Sequence, residues 1–244
     1  MVVLVIADIH ANMEALQAVL DSAGAFDCVW VLGDTVGYGP EPCAAIDRVR
    51  ELPHVNVLGN HDAAAVGIID TSLFNPIAAE ANHWTAGQLT PEQRDYLAAC
   101  PRTLERDGAT LCHGSLRDPL LEYLFDEDAA RAHLQRQHTP IGFVGHTHVP
   151  LVFRGAGRRL DLISPRPPLP AGAVLQLGDL PTVVNPGGVG QPRDGDPRAA
   201  FALYDTERRT VTFRRVAYDV PATQRKIRAA GLPESLALRL ARGV

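Results

Sequence analysis

Short apolar runs alternate with amphipathic stretches over the first quarter of the chain. Residues 2–7 form a continuous apolar run rich in β-branched side chains, which is typical of a strand buried in a parallel sheet. Leu16, Val19 and Leu20 then recur at the spacing of one helix face, and Asn12 can cap that helix. The elements predicted here are strands at 2–7, 28–32 and 55–58 and helices at 13–23 and 40–52. This β-α-β-α-β order predicts a parallel sheet with right-handed crossovers.

The remaining pattern predicts a helical insertion followed by many strands. Residues 63–100 are mostly helical in pattern and are interrupted by Pro76 and Pro91, so we expect them to cover one edge of the sheet. Further strands are predicted at 109–112 and 141–144, around a helix at 126–137. Six strand signals without intervening helices then predict a second, more antiparallel sheet; they lie at 151–153, 159–163, 173–177, 182–184, 201–204 and 211–216.

Two further segments of the second half have recognisable sequence patterns. A proline-dense stretch at 164–170 predicts an exposed loop, and residues 222–242 predict two short helices broken at 231–233. The simplest architecture is a single α/β domain over residues 1–244. In it, two sheets pack face to face with helices outside each.

Composition narrows the function classes. Hydrophobic residues make up 46% and charged residues 21% of the chain, which is the balance of a globular protein with a substantial core. The net charge of −5 disfavours extended nucleic-acid binding. The chain lacks both an apolar run of the roughly 18 residues that span a bilayer and a signal-peptide pattern, so we expect a cytoplasmic protein. The four cysteines form no C-x-x-C pair and are expected to be buried, reduced thiols.

Polar side chains follow five of the predicted strands. Sites in open parallel sheets form at the carboxyl ends of strands, so residues far apart in sequence can converge there. Each cluster alone is a weak signal, because a histidine after a strand or a glycine-asparagine pair is often an ordinary surface or turn feature. Five such clusters together indicate a site; they are Asp8-Ile9-His10, Gly33-Asp34, Gly59-Asn60-His61-Asp62, Cys112-His113-Gly114 and Gly145-His146-Thr147-His148.

The residue types in these clusters suit metal binding. Two aspartates, one asparagine and four histidines favour Mn, Fe, Zn or Ni over Ca. One carboxylate can bridge two ions, and ions roughly 3.5–4 Å apart can hold both the attacking and the leaving oxygen of a phosphoryl group. We therefore expect two divalent transition-metal ions, with Mn favoured and Fe, Zn, Ni or Co as alternatives.

The ordered motifs D-x-H, G-D-x-x-x-Y-G, G-N-H-D, H-G and G-H-T-H resemble the calcineurin-like metallophosphoesterases, in particular small bacterial phosphodiesterase-type members. The segment Asn185-Pro186-Gly187-Gly188 extends the resemblance, although Gly188 stands where relatives usually carry serine. The resemblance implies a four-layer αββα sandwich with two mixed β-sheets. It also implies a dinuclear-metal-dependent hydrolase of phosphate esters, in which metal-bound hydroxide attacks phosphorus.

The resemblance also implies roles for individual residues. His61 would contact the substrate phosphate and protonate the leaving group, and Asp62 would orient His61 or its loop, unless it simply caps the following helix. The ligands implied for one ion are Asp8, His10, Asp34 and His148, and those for the other are Asp34, Asn60, His113 and His146.

Three residues are candidates for substrate binding. Arg193 lies in a glycine-proline loop that could aim it at an anion. Arg117 could reach substrate oxygens or form a surface ion pair. Tyr38 either lines the pocket or packs in the core. We expect a small phosphoester as the partner, with nucleotides among the candidates.

One departure from the family pattern helps to distinguish diester from monoester substrates. Gly37-Tyr38 stand where monoesterases and protein phosphatases of the family carry an arginine. A diester has less charge to neutralise and a second substituent, for which glycine at 37 would leave room. The sequence therefore favours a phosphodiesterase; the alternatives are a phosphomonoesterase, a protein phosphatase or a non-catalytic metal-binding scaffold.

Overall fold

The computed structural model describes residues 1–156, 159–162 and 169–244 and contains two six-stranded sheets. The strands are β1 (Val2–Ile6), β2 (Cys28–Val31), β3 (His54–Asn56), β4 (Thr103–Arg106), β5 (Ala109–Cys112), β6 (Ile141–Phe143), β7 (Leu151–Ala156), β8 (Arg159–Leu162), β9 (Val174–Gln176), β10 (Thr182–Asn185), β11 (Ala199–Asp205) and β12 (Thr210–Val216). The helices are α1 (Met13–Ser22), α2 (Pro42–Arg50), α3 (Asn60–Ala65), α4 (Pro76–Gln88), α5 (Pro91–Ala98), α6 (Glu127–Leu134), α7 (Val220–Ala229) and α8 (Glu234–Leu240), with a 3₁₀ turn at Thr71–Leu73.

Each sheet contains three neighbouring parallel strands. The first sheet has the order β3-β2-β1-β11-β12-β9, and β1, β2 and β3 are parallel, as the sequence predicted. The second has the order β4-β5-β6-β10-β7-β8, with β5, β6 and β10 parallel. Parallel strands carry their carboxyl ends to the same edge, and these two edges supply the candidate site.

The predicted division of strands between the sheets is wrong. The late strands were expected to form one antiparallel sheet, but β9, β11 and β12 belong to the first sheet, and β11 pairs antiparallel with β1. Alternation of apolar residues tells which face of a strand is buried, not which strand edge it joins. Strand β4 was not predicted at all, because this edge strand is mostly exposed and lacks an apolar pattern.

The core lies between the two sheets. Val3 and Val5 of β1 face the opposite sheet, whereas Leu4 and Ile6 face the helices outside, following the two-residue period of a strand. Trp30 of the first sheet meets Phe143 of the second with a ring-centroid distance of 5.8 Å.

Helices cover the outer face of each sheet. Helices α1 and α2 pack on the first sheet, and α6 packs on the second, through the apolar clusters that contain Leu16, Ala45 and Ala130. The four-layer αββα sandwich is therefore confirmed. No helix in the described part of the chain is long and apolar enough to cross a membrane.

The helical insertion and the C-terminal helices meet beside the parallel strand ends. Pro76 and Pro91 begin helices α4 and α5 rather than interrupting them, which is the position that proline tolerates best. Helices α7 and α8 confirm the two predicted C-terminal helices and pack with α4 around Tyr38.

Two smaller predictions have different outcomes. The four cysteines are free, as expected, but only Cys112 is fully buried, and the other three are partly buried. The predicted loop at 164–170 lies, except for its last two residues, outside the described residues.

Candidate active site

The loops after the parallel strands hold their residues in an uncommon backbone conformation. Asp8, His10, Asp34, His146 and His148 all have φ between 48° and 67°. A non-glycine residue in this left-handed region costs of order 1–3 kcal/mol, and such strain concentrates at functional sites. The fold therefore imposes an unfavourable backbone conformation on five of the seven predicted ligands.

The first group of metal-type donors combines the D-x-H motif with the last histidine of G-H-T-H. Asp8, His10 and His148 are buried and place their ligand atoms within 4.8 Å of one another. The Nε2 atoms of His10 and His148 are 3.2 Å apart, and Asp8 Oδ1 lies 3.3 Å from His148 Nε2.

The second group combines residues from both sheets. Asp34, His113 and His146 are buried and also place their ligand atoms within 4.8 Å of one another. His113 Nε2 lies 3.0 Å from His146 Nδ1 and 3.0 Å from Asn60 Oδ1, so the amide of Asn60 lies beside this group.

Asp34 lies between the two groups. Its Oδ1 atom accepts a hydrogen bond of 2.8 Å from the main-chain nitrogen of His61. Its Oδ2 atom lies 3.7 Å from His10 Nε2 and 3.3 Å from His113 Nε2, and it has no hydrogen-bond partner among the described residues. A buried carboxylate oxygen without a partner is costly, and a shared cation would satisfy it. The position fits a carboxylate that bridges two ions.

Each of the four histidines in these groups is held by a main-chain carbonyl. Because a carbonyl oxygen only accepts, the ring nitrogen facing it carries the proton, and the other nitrogen presents its lone pair to the site. The contacts are His10 Nδ1 to Val36 O at 3.1 Å, His113 Nδ1 to Leu32 O at 2.8 Å, His146 Nε2 to Leu121 O at 3.3 Å and His148 Nδ1 to Gln191 O at 2.6 Å. All four rings are thus oriented as metal ligands.

The protonation states agree with this orientation for three of the rings. Burial lowers the pKa values of His10, His146 and His148 well below their usual range, which keeps the rings in the neutral form that binds metals. Burial would also lower the pKa of His113, but the Asp34 carboxylate beside it raises that pKa to about 9. Burial would raise the pKa of Asp34, and the His113 ring lowers it instead.

His61 is buried beside these groups without joining them. Its ring centroid lies 4.3 Å from that of Tyr38 and 5.0 Å from that of His10. Burial lowers the pKa of His61 to about 4, so the ring is neutral near physiological pH.

Asn82, which the sequence did not single out, holds His61 in place. Its Nδ2 atom lies 3.0 Å from the main-chain oxygen of His61 and 3.2 Å from His61 Nδ1. The carbonyl can only accept, so the amide nitrogen must face His61, and Nδ1 accepts as well. The proton of the neutral ring is therefore on Nε2. Asn82 is on α4, 21 residues away in sequence, and no local signal marks it.

Asp62 holds the surrounding loops. Its Oδ1 atom accepts from the main-chain nitrogen of Val36 at 3.0 Å, and its Oδ2 atom accepts from that of Gly59 at 3.1 Å. It thereby caps the start of α3 and ties this helix, which carries His61, to the loop that carries Asp34. Burial raises the pKa of Asp62 to about 7.

The three candidate substrate-binding residues have different surroundings. Tyr38 is buried, and Arg193 Cζ lies 5.8 Å from the centre of its ring. Arg117 is instead engaged in ion pairs with Glu122 and Asp128, which is the surface arrangement that the sequence left open.

A cleft of about 230 Å³ opens beside this site. Its polar floor contains Asn60, His61 and His146, and its walls include Phe74 and Tyr123. The Tyr123 ring stacks on His146 at 3.9 Å, and the Phe74 ring lies 4.8 Å from that of His61. Neither aromatic residue was identified from the sequence, because both lie in irregular segments without a motif.

The geometry can be compared with known proteins. A family model described as a calcineurin-like phosphoesterase superfamily domain matches residues 1–209. The fold is similar to the crystal structure of a metallophosphoesterase from Sphaerobacter thermophilus, with 44% identity, a TM-score of 0.89 and coverage of 100% of this chain and 99% of that one.

Two relatives are found by sequence. An uncharacterized protein of Methanocaldococcus jannaschii is 33% identical over 243 residues, which cover 97% of this chain and 96% of that protein. A shorter match, 33% identical over 100 residues, covers 34% of this chain and 36% of a symmetrical bis(5'-nucleosyl)-tetraphosphatase from Photorhabdus laumondii. Because the family model spans most of the chain, this protein belongs to the calcineurin-like phosphoesterase superfamily.

Proposed function

We propose that this chain is a phosphoesterase that uses two divalent metal ions and prefers phosphodiesters. The observation that carries the proposal is the buried Oδ2 atom of Asp34, which lies between two groups of metal-type donors without a hydrogen-bond partner of its own in the described part of the chain. That position is the one a bridging carboxylate requires.

The proposed ligands follow the two groups. Asp8, His10 and His148 would hold one ion, and Asn60, His113 and His146 the other, with Asp34 shared. Imidazole and oxygen donors together suit Mn, Fe, Co, Ni or Zn, and we propose Mn. When bound, such a pair of ions activates water near neutral pH and stabilises charge on a phosphoryl group.

We assign His61 to the substrate. Asn82 leaves the proton of the neutral ring on Nε2, from which His61 can donate to a phosphoryl oxygen or supply a proton to the leaving group. Asp62 keeps the start of α3, which carries His61, next to the loop of Asp34 through two main-chain hydrogen bonds. Neither residue is needed as a metal ligand in this arrangement.

The preference for diesters is supported by what surrounds His61. Tyr38 occupies the place of the arginine that would neutralise a doubly charged monoester. The room expected at Gly37 is not there, because a Cβ on that residue would lie 2.5 Å from His61 Nδ1. The second substituent would instead lie in the cleft, against Phe74 and Tyr123.

We infer that the substrate is a small molecule rather than a nucleic-acid chain. The net charge of −5 offers little attraction to a long polyanion, whereas the cleft of about 230 Å³ suits a compact ester. The partial match to a bis(5'-nucleosyl)-tetraphosphatase makes nucleotides the first compounds to examine. The four unpaired cysteines fit a reducing compartment such as the cytoplasm.

The test compares kcat/KM for bis(p-nitrophenyl) phosphate and p-nitrophenyl phosphate under the same metal, with Mn, Ni, Co and Mg run in parallel. We expect the diester to be preferred and Mn to support more activity than Mg, which binds best to oxygen-rich octahedral sites. A monoester advantage of about tenfold, some 1.4 kcal/mol of transition-state binding, would reverse the preference. Hydrolysis of neither ester under any metal would favour a non-catalytic scaffold.

A further inference from the structure

A second pocket adjoins the cleft and is also lined by Tyr38. It has a volume of about 430 Å³ and shares Tyr38 and Asn75 with the cleft. Its far wall is formed by α8 and the residues after it, which contribute Arg239 and Arg242. Arg193 approaches the same tyrosine, with Cζ at 5.8 Å from the ring centre, and Arg239 Cζ lies at 6.0 Å. We call this the arginine pocket.

In the described part of the chain, the arginine pocket has no acidic side chain paired with its positive charge, although Arg239 Nε donates to the main-chain oxygen of Val244. Among the described residues, no aspartate or glutamate side chain forms an ion pair with Arg193, Arg239 or Arg242. Burial, together with the charges of Arg193 and Arg242, lowers the pKa of Arg239. Other arginines of this chain differ, since Arg117 and Arg215 are each paired with an acidic side chain.

Arg193 also has unused hydrogen-bonding capacity. One terminal nitrogen donates to Gln191 Oε1 at 3.1 Å, but the buried Nε atom has no hydrogen-bond partner among the described residues. A buried donor without a partner costs of order 1–3 kcal/mol, and a guanidinium is well suited to phosphate oxygens. Like charges held together beside an open pocket therefore point to an anionic ligand.

We propose that the arginine pocket binds a second phosphoryl group of the substrate, linked to the one that is hydrolysed. This inference rests on the proposed function. The Tyr38 ring contacts His61, at 4.3 Å between centroids, and has the Cζ atoms of Arg193 and Arg239 within 6.0 Å of its centre. Because both subsites border this one aromatic ring, we infer that phosphoryl groups of a single anhydride chain occupy them together. The substrate class is an oligophosphate ester.

The arginines can be changed without disturbing the core. Helix α8 is anchored by Leu236 and Leu240, which pack in the apolar cluster around Tyr38. Arg239 is half-buried and Arg242 is exposed, so replacement by glutamine removes charge but leaves that anchor. Arg225, an exposed arginine on α7 that does not line the pocket, offers a control that removes one positive charge, against two in the double variant.

The test compares two substrates with the same nucleoside ends, adenylyl-(3'→5')-adenosine with one phosphoryl group and diadenosine tetraphosphate with four. In the double variant Arg239→Gln, Arg242→Gln we expect the ratio of kcat/KM, tetraphosphate over single phosphate, to fall about 10- to 100-fold, as for lost charge-assisted hydrogen bonds. Arg225→Gln should leave the ratio unchanged. An unchanged ratio in the double variant would overturn the subsite.

Binding of inorganic triphosphate to the metal-free protein, measured by calorimetry, separates this inference from the proposed function. We expect the double variant to bind at least about tenfold more weakly than Arg225→Gln. Equal affinities would overturn the subsite even if the enzyme hydrolyses esters. Weaker binding in a protein that hydrolyses nothing would support the subsite and reject the phosphoesterase.

Discussion

Among the individual residues of the site, Asn82 has the clearest chemical effect, because its side chain fixes the protonation of His61. The amide faces two acceptors, the main-chain oxygen and Nδ1 of His61, so it determines which ring nitrogen carries the proton. Sequence motifs identified His61 but not Asn82. Motifs record residues that are close in sequence, whereas this hydrogen bond joins two different helices, α3 and α4.

Changing Asn82 tests this role. In Asn82→Ala we expect kcat to fall about tenfold or more with both metals still bound, because positioned proton donors contribute about 10²–10⁴-fold. Asn82→Asp should be worse than Asn82→Ala, since its carboxylate would face two acceptors. The checks are kcat for an aryl diester and metal content for each variant. If Asn82→Asp matched the wild type, the proposed proton position on His61 would be wrong.

Gly37 and Gly67 form a matched pair for testing the placement of His61. Both have positive φ, +89° and +79°, so alanine strains either backbone by of order 1 kcal/mol. Only at Gly37 would the added Cβ meet the His61 ring, and nothing lies within 4 Å of it at Gly67.

We therefore expect Gly37→Ala to lower kcat/KM strongly and Gly67→Ala to lower thermal stability alone. Steady-state kinetics and thermal unfolding of both variants provide the comparison. Equal activity in the two variants would mean that His61 is not held where this structure places it.

For the strands, the sequence predicts where each one lies better than it predicts which strand each one pairs with. The apolar run at 2–7 and the polar residues after it were enough to place β1 and the start of the site. The hairpin of β11 and β12 was recognised as strands, but its pairing with β1 depends on contacts across 200 residues of sequence. A periodic pattern carries no information about such contacts.

Helix α6 offers a prediction of pH dependence away from the metal groups. His133 accepts a hydrogen bond from the Leu116 main-chain nitrogen through Nδ1, at 3.2 Å, and its Nε2 donates to Gln137 Oε1 at 3.1 Å. The hydrogen bond from Leu116 requires an unprotonated Nδ1, so the two contacts together define a neutral ring with its proton on Nε2. Burial lowers the pKa of His133 to about 4, below the value of about 6.5 expected in the unfolded chain.

Because the unfolded chain takes up a proton that the folded chain does not, His133 destabilises the fold as pH falls from about 6.5 to about 4. Near pH 4, this effect lowers the free energy of unfolding by about 3 kcal/mol. We expect the free energy of unfolding of His133→Gln to depend less on pH over this range than that of wild type. The control is His138→Gln, at an exposed histidine, and parallel pH curves for wild type and His133→Gln would contradict the assignment.

For the whole molecule, the resemblance of five short motifs to those of calcineurin-like metallophosphoesterases was sufficient to predict the αββα sandwich. The motifs did not predict which other side chains surround the predicted ligands. Phe74 and Arg239 come from the insertion and the last helix, which pack together around Tyr38. Tyr123 comes from a loop and stacks on His146. That the chain forms one domain stays a prediction.

The proposed chemistry depends on Asp34 binding two ions in one site. The number of metal ions per chain tests this, measured by elemental analysis after loading with Mn and removing free metal. We predict two ions for the wild type, and fewer than two for Asp34→Asn together with loss of phosphoesterase activity. Full activity in a wild-type protein that carries no transition metal after chelation would contradict it.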